Sequence, residues 1–174
     1  MGFLKQPVQQ SGRLILLCGL PGSGKTTTAR QMATQLQAVR LNPDDWFANL
    51  QLDAWDAALR VRLERQFWEL SKELLTLGQT VILEWGFWAR VERDEKLSEA
   101  RALGAAVELH YLVTSLDELW SRLASRNKSG LHGAVKIQRA QLEEFAGRFQ
   151  APNAAELELY DPPLQVQRLP HVLE

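Results

Sequence analysis

The sequence predicts an α/β fold in which a parallel β-sheet lies between two layers of helices. Short apolar runs alternate along the chain with longer stretches in which apolar residues recur at three- and four-residue steps, the pattern of strands joined by helical crossovers. In addition, residues 19–26 read GLPGSGKT and stand between the first apolar run and the first helical stretch. A chain of 174 residues has single-domain length. We expect one domain over 13–174, after a loose arm at 1–12.

The first half of the chain is predicted to contain three strands and two helices. The predicted strands are 14–18, 38–41 and 79–83, and the predicted helices are 27–36 and 53–77. In the second helix, Leu59, Leu63 and Phe67 have the spacing of one buried face. Gly78 follows as the residue that ends this helix.

The second half of the chain continues the alternation. Its predicted elements are a helix at 90–103, a strand at 106–113, a helix after Ser115, a mobile loop at 127–133, a helix at 135–149 and a last strand at 165–169. Ser115 and Glu118 have the spacing of a capping box. Helical connections make the strands parallel, so the segments that follow them should share the edge at their carboxyl ends, where ligands bind in such sheets.

The segment 19–26 matches the P-loop, or Walker A, pattern G-x-x-x-x-G-K-[ST]. Its glycines allow the backbone to turn its N–H groups toward an anion, next to the positive end of a helix. Lys25 is expected to reach the β- and γ-phosphates of ATP, and the Thr26 hydroxyl to ligate Mg²⁺. The residues expected to contact ATP are Gly19, Leu20, Pro21, Gly22, Ser23, Gly24, Lys25, Thr26 and Thr27.

Two acids, Asp44 and Asp45, follow the second predicted strand. A kinase needs a carboxylate that accepts the proton of the acceptor hydroxyl. We expect Asp45 to be this base, with Asp44 as the second candidate for the role and as a residue that contacts the acceptor. The alternative is a local role at a helix start, with Asn42 as the N-cap, Pro43 in the first position and the acids in the first turn.

Glu84 ends the third predicted strand, in the position of a Walker B acid that helps to hold Mg²⁺. The alternative is a carboxylate that bonds to the backbone or to Lys25 at the sheet edge.

Arg122 and Arg126 lie four residues apart on one helix face. We expect them to belong to a lid around 122–135 that closes on the phosphates, although a solvated basic edge is the alternative.

Aromatic residues gather after the second and third predicted strands. Trp46, Trp85 and Trp88 are candidates for an acceptor pocket, together with Arg90 just beyond them. For each tryptophan, packing in the core is the alternative.

Composition narrows the function classes. A net charge of −1 does not favour nucleic acid as the partner, and no segment reaches the length of a membrane span. One cysteine and no apolar stretch of signal-peptide length lead us to expect a cytoplasmic protein. Asn127-Lys128 is followed by Ser129-Gly130, so the guanine-reading pattern N-K-x-D is missing.

The segments GLPGSGKTTTAR, LNPDDWF, VILEWGFWAR and LDELWSRLASRN resemble those of small P-loop kinases of the AAA-type ATP-binding family. This grouping is similar to polynucleotide 5′-kinases, zeta toxins and chloramphenicol phosphotransferase. The resemblance implies a three-layer sandwich with a five-stranded parallel sheet in the order 2-3-1-4-5, as in nucleoside monophosphate kinases. It also implies that Asp45 is the general base and that Arg122 and Arg126 are the lid arginines.

These observations predict an enzyme that transfers the γ-phosphate of ATP–Mg²⁺ to a hydroxyl group. The acceptor is expected to be a small molecule such as an antibiotic, sugar, nucleotide or nucleotide sugar, or else a nucleic-acid 5′ end. The alternative is a nucleotide-binding regulator or slow ATPase without an acceptor. A monomer or a dimer is compatible with the sequence.

Overall fold

A parallel β-sheet forms the centre of the molecule. The computed structural model describes residues 11–129 and 135–164. The strands found in these ranges are β1 Arg13–Cys18, β2 Val39–Leu41, β3 Thr80–Gly86 and β4 Ala106–Tyr111. They lie in the order β2-β3-β1-β4, and every neighbouring pair is parallel. The predicted order 2-3-1-4 is therefore confirmed. The described sheet has four strands rather than five, and the predicted strand at 165–169 lies outside the described residues, as does most of the predicted arm at 1–12.

The helices that connect and follow the strands largely coincide with the predicted ones. Within the described residues they are α1 Lys25–Leu36, α2 Pro43–Asn49, α3 Ala57–Thr76, α4 Arg90–Ala102, α5 Leu116–Ser129, α6 Arg139–Arg148 and α7 Ala154–Leu157. Gly78 follows α3 with φ of +78°, as expected for a glycine that ends a helix. The Ser115 hydroxyl accepts a hydrogen bond from the N–H of Glu118 at the start of α5.

Several predicted boundaries are wrong for local reasons. The helix predicted from residue 53 begins at Ala57, because the Asp56 side chain caps it by accepting from the N–H of Leu59. The loop predicted to begin at residue 127 begins later, since α5 continues to Ser129, and residues 130–134 lie outside the described residues. The helix predicted from residue 135 begins at Arg139. The strand predicted to reach residue 113 ends at Tyr111.

Side chains of β1 enter two separate cores, because successive residues of a strand point to opposite faces. Leu14, Leu16 and Cys18 pack in the core that also contains residues of α3 and α4. Ile15 and Leu17 pack in the other core, with Ala29 of α1. All five strand residues are fully buried. This arrangement produces the three-layer sandwich and explains why β1 is continuously apolar.

A third apolar cluster holds α5 and α6 together beside the P-loop. Leu119 and Leu123 of α5 pack with Ile137 and Leu142, and Leu20 of the P-loop packs against them. The approach is close at Gly22, where an added Cβ would lie 3.1 Å from Cγ of Leu123 and 3.2 Å from the carbonyl oxygen of Leu119. The fold thereby places α5 directly against the P-loop.

Candidate active site

The P-loop connects β1 to α1 in a conformation that depends on glycine. Gly22 and Gly24 have φ values of +84° and +97°, in the region that side-chain-bearing residues rarely adopt. Gly24 is the N-cap of α1 and provides no side-chain cap. The first N–H groups of an α-helix have no partner within the helix, so this end of α1 offers free donors to an anion.

Lys25 lies across the P-loop and is largely shielded from water. Its Nζ donates hydrogen bonds to the carbonyl oxygens of Gly19 and Leu20, both at 2.9 Å. Burial lowers the pKa of Lys25 to about 8, although the nearby carboxylates of Glu84 and Asp44 act in the opposite direction. The ammonium group of Lys25 thus lies in surroundings that disfavour its charged form.

Four side chains form a chain of polar contacts next to the P-loop, which we call the Arg40 network: Thr26, Glu84, Arg40 and Asp45. The Thr26 hydroxyl donates to Oε1 of Glu84, and Nη1 of Arg40 donates to Oε2 of Glu84 at 2.5 Å. The other terminal nitrogen of Arg40 donates to Oδ2 of Asp45. The structure therefore brings together Thr26 and Glu84, the two residues predicted to hold the metal. Glu84 bonds to Thr26 and Arg40 rather than to Lys25.

Sequence reasoning missed Arg40. The signal that could have found it is a single cation in the short strand β2, Val39–Leu41, directly before the acids. The charge of Arg40 balances two carboxylates, and these ion pairs raise its pKa despite burial. Since Glu84 is only 4% exposed, its charge depends on such a partner.

The side-chain oxygen atoms of Thr26 and Glu84 are compatible with Mg²⁺ as a ligand set. Within 11–129 and 135–164, no cluster of three or more histidine, cysteine, aspartate or glutamate side chains could hold a metal ion. Mg²⁺ in kinases is typically held by one or two protein oxygens together with phosphate oxygens and water. A threonine hydroxyl beside a carboxylate, as in Thr26 and Glu84, has the hard oxygen chemistry that this requires.

Asp44 and Asp45 lie in the first turn of α2 and have different surroundings. Asn42 caps this helix by accepting from the N–H of Asp45 at 3.2 Å, so the helix-start role is present. The Asp45 carboxylate pairs with Arg40 and lies 3.8 Å from Nη2 of Arg30. Asp44, by contrast, is 58% exposed at its side chain and accepts from Nη2 of Arg60 at 2.7 Å. Its charge also acts to raise the pKa values of Lys25 and Arg126. Of these two aspartates, Asp44 is thus the one whose charge acts on the P-loop lysine.

The two predicted lid arginines have different partners. Arg122 is half exposed, pairs with Glu118, and its Nη1 lies 3.4 Å from the carbonyl oxygen of Gly22. Arg126 donates from Nη2 to the carbonyl oxygen of Val135 at 3.0 Å, while its buried Nε has no hydrogen-bond partner in the described part of the chain. Burial lowers the pKa of Arg126. Arg126 is therefore a cation that is short of a negative partner.

A cleft of about 300 Å³ opens beside Asp44. Asp44 and Lys136 provide its charged groups. Its apolar lining consists of Phe47, Ala48, Leu52, Ala54, Trp55 and Val135. Most of these residues belong to α2 and to the connection between α2 and α3.

The other predicted acceptor residues do not line this cleft. Trp46 packs edge-on against Phe67, with ring centroids 5.2 Å apart. Trp85 packs against Phe67 and Phe87, and Trp88 against Phe145. Each of the three therefore has an aromatic partner, although Trp46 is 46% exposed and Trp85 and Trp88 are only partly buried.

The arginines that follow β3 also point to structural roles. Arg90 pairs with Asp94 on the surface of α4. Arg93 is completely buried and bonded to Glu156. The cleft is instead lined by residues that the sequence analysis did not single out, among them Trp55, Leu52 and Lys136.

The family comparison agrees with this geometry. Residues 14–152 match the model of the family AAA_33, described as an AAA domain. The chain belongs to this AAA domain family. No curated protein sequence matches the chain.

Solved structures similar to this AAA domain are P-loop proteins. A "putative kinase" from Chloroflexus aurantiacus is 25% identical, with 83% of each chain covered and a TM-score of 0.65. Chaetomium thermophilum Kti12, in complex with ADP-AlF3, is 20% identical, with 86% of each chain covered and a TM-score of 0.65. A chain of the Pnkp1/Rnl/Hen1 RNA repair complex is 21% identical over 91% of this chain and 49% of that chain, with a TM-score of 0.69. This AAA domain has the P-loop kinase fold that its sequence predicts. No helix in the described ranges is long and apolar enough to cross a membrane.

Proposed function

We propose that the protein is an ATP-dependent phosphotransferase that moves the γ-phosphate of ATP to a hydroxyl group of an acceptor bound in the cleft beside Asp44. The observation that carries this proposal is that Asp44 lines the cleft and that its charge also acts on both Lys25 and Arg126. A site that joins a phosphate-binding loop to a second cleft through a carboxylate has the parts that phosphoryl transfer needs.

In the proposed reaction, the acceptor oxygen attacks the γ-phosphorus of ATP. A new bond forms between them, the bond from the γ-phosphorus to the bridging oxygen of ADP breaks, and the hydroxyl proton passes to the Asp44 carboxylate. Lys25 and Arg126 stabilise the negative charge on the phosphates. Mg²⁺, held by Thr26 with Glu84 beside it, would supply further neutralisation of this charge.

We assign the base to Asp44, and this assignment replaces the sequence-based expectation for Asp45. Asp45 pairs with Arg40, which also holds Glu84, whereas the Asp44 carboxylate pairs with Arg60 and lines the cleft. Asp45 then acts as a positioning residue that holds Arg40 against Glu84.

Transfer of labelled γ-phosphate tests the proposal. The acceptor panel contains aminoglycosides, chloramphenicol, nucleosides, nucleotide sugars, sugars and 5′-hydroxyl oligonucleotides. We expect Asp44→Asn to lower turnover by about 10²-fold or more, the typical contribution of a general base, and Asp45→Asn to have a smaller effect. Circular dichroism would establish that both variants are folded.

Two outcomes would contradict the proposal. Slow phosphate release that no acceptor stimulates and that Asp44→Asn leaves unchanged would favour the nucleotide-binding regulator or slow ATPase. A larger loss in Asp45→Asn than in Asp44→Asn would return the base to Asp45.

A further inference from the structure

We propose that the cleft beside Asp44 binds an aromatic alcohol that carries an anionic group, and that this compound class is the acceptor. The identity of the acceptor rests on the proposed phosphotransferase function, but the binding chemistry of the cleft can be tested without any transfer.

An exposed aromatic surface forms one wall of the cleft. Trp55 is 57% exposed and Leu52 is 37% exposed, although both border a concave site. Backbone hydrogen bonds hold both in place, from the N–H of Trp55 to Oδ1 of Asp53 and from the N–H of Leu52 to the carbonyl oxygen of Phe47. A flat ring placed on this wall would remove apolar surface from water and stack on the indole. The wall therefore favours a ring over an extended polyhydroxylated chain.

The charges around the cleft favour an anion. Lys136 also lines the cleft, is exposed, and makes no ion pair within 11–129 and 135–164. Arg60 is shared between the carboxylates of Asp44 and Glu64. Arg126 adds a further positive charge near Asp44. In the lining itself, the Asp44 carboxylate is already paired with Arg60, whereas Lys136 has no ion-pair partner among the described residues, so an anionic ligand would be attracted and a polycation repelled.

The size of the cleft and the way its wall is held favour a small molecule. A volume of about 300 Å³ is at the small end of ligand pockets. The wall at 135–137 is tied to α5, because Arg126 donates to the carbonyl oxygen of Val135 and Nδ2 of Asn127 donates to that of Ile137 at 2.7 Å. Such a cleft suits a compact ring system rather than a long oligomer.

A matched series of para-substituted benzyl alcohols tests this chemistry. The probes are para-(hydroxymethyl)benzoate, para-(hydroxymethyl)phenyl phosphate, benzyl alcohol and para-(aminomethyl)benzyl alcohol, so that ring and hydroxyl stay constant while charge and its source vary. Dissociation constants are measured by ligand-observed NMR on the full chain saturated with ADP. We expect both anionic probes to bind at least about fivefold more tightly than the cationic probe. The two anionic arms distinguish carboxylate from phosphate as the preferred source.

Variants assign the preference to named side chains. Trp55→Ala should weaken binding of the anionic probes by about tenfold through lost stacking. Lys136→Ala should remove the preference for anionic over neutral probes, and Lys136→Arg should keep it. Lys128→Ala removes a similar exposed charge that does not line the cleft, and Leu77→Ala removes an exposed apolar side chain at the end of α3. Both should leave all four constants unchanged.

Equal or tighter binding of the cationic or neutral probe would overturn the inference, as would probe binding that Trp55→Ala does not change. Undetectable binding of both anionic probes would also overturn it. Tighter binding of a 5′-hydroxyl oligonucleotide, with steep salt dependence and no effect of Trp55→Ala, would point to a nucleic-acid end instead. Any of these results would leave Asp44-dependent transfer to another acceptor intact, so this inference and the proposed function can fail separately.

Discussion

At the scale of single residues, the neighbouring acids Asp44 and Asp45 have different partners, and the ammonium group of Lys25 lies in surroundings that disfavour its charge. Lys25 has a pKa of about 8 because burial removes water from its ammonium group. Phosphates bound next to this group would stabilise its charged form. The positive charge of Lys25 is therefore already in place where the phosphates of ATP would bind.

This arrangement predicts that ATP binding takes up a proton at alkaline pH. Free Lys25 is about half neutral at pH 8, whereas phosphate contact raises its pKa, so binding should take up about half a proton at pH 8 and almost none at pH 6.5. For the same reason, ATP affinity should fall as the pH rises above 8. Calorimetric titrations in buffers of different ionisation enthalpy measure the uptake. Lys25→Met should abolish it, and equal uptake at both pH values would contradict the prediction.

At the scale of elements, the Arg40 network joins β2, β3, α1 and α2. Arg40 lies in β2, Glu84 in β3, Thr26 in α1 and Asp45 in α2. Helix α2 is short, and its cap at Asn42 is local. The guanidinium attaches α2 to the sheet edge in addition to the packing of its buried residues Pro43 and Phe47.

We predict that Arg40→Gln destabilises the protein by about 2–3 kcal/mol, because it leaves the buried Glu84 carboxylate without its cation. Urea denaturation at pH 7 measures the change. Arg40→Lys should recover only part of the loss, since an ammonium group lacks the planar fork that contacts two carboxylates at once. A loss below about 0.5 kcal/mol in Arg40→Gln would show that the network contributes little to the fold.

At the scale of the whole molecule, a buried ion pair attaches the C-terminal segment to the sheet. Arg93 of α4 has no exposed surface and binds Glu156 of α7 through Nε at 2.6 Å and Nη2 at 3.0 Å. Its Nη1 also donates to the carbonyl oxygen of Phe87 at 2.8 Å, just after β3. One side chain therefore connects α7 to α4 and to the neighbouring segment that follows β3.

Removing one partner of this pair should be costly. We expect Arg93→Met to destabilise the protein by about 3–5 kcal/mol, because Glu156 would remain buried and unpaired. The double variant Arg93→Met, Glu156→Met should lose less than the sum of the single variants. Arg139→Met removes an exposed guanidinium that pairs with Asp117 and Glu143, and it should lower the stability far less than Arg93→Met. Chemical denaturation measures the free energy of unfolding of these four variants and of the unsubstituted protein. A similar loss of stability in Arg93→Met and Arg139→Met would contradict the prediction.

The sequence by itself determined the fold class, the strand order expected from its family, and the P-loop with Lys25 and Thr26. These features follow from contiguous patterns: an apolar run, glycines at fixed spacing and helical periodicity each act within a few residues. It also placed Glu84 beside Thr26, because carboxyl ends of parallel strands share an edge.

Only the tertiary structure showed that Asp44 and Asp45 have different surroundings, and which tryptophan lies at the cleft. Neighbouring residues of a helix point about 100° apart, so α2 turns Asp45 toward Arg40 and leaves Asp44 at the cleft. Trp85 and Trp88 contact aromatic rings of other elements, Phe67 and Phe145, whereas Trp55 is exposed beside the cleft. These aromatic partners lie far away in sequence, and no local pattern specifies which of them will meet.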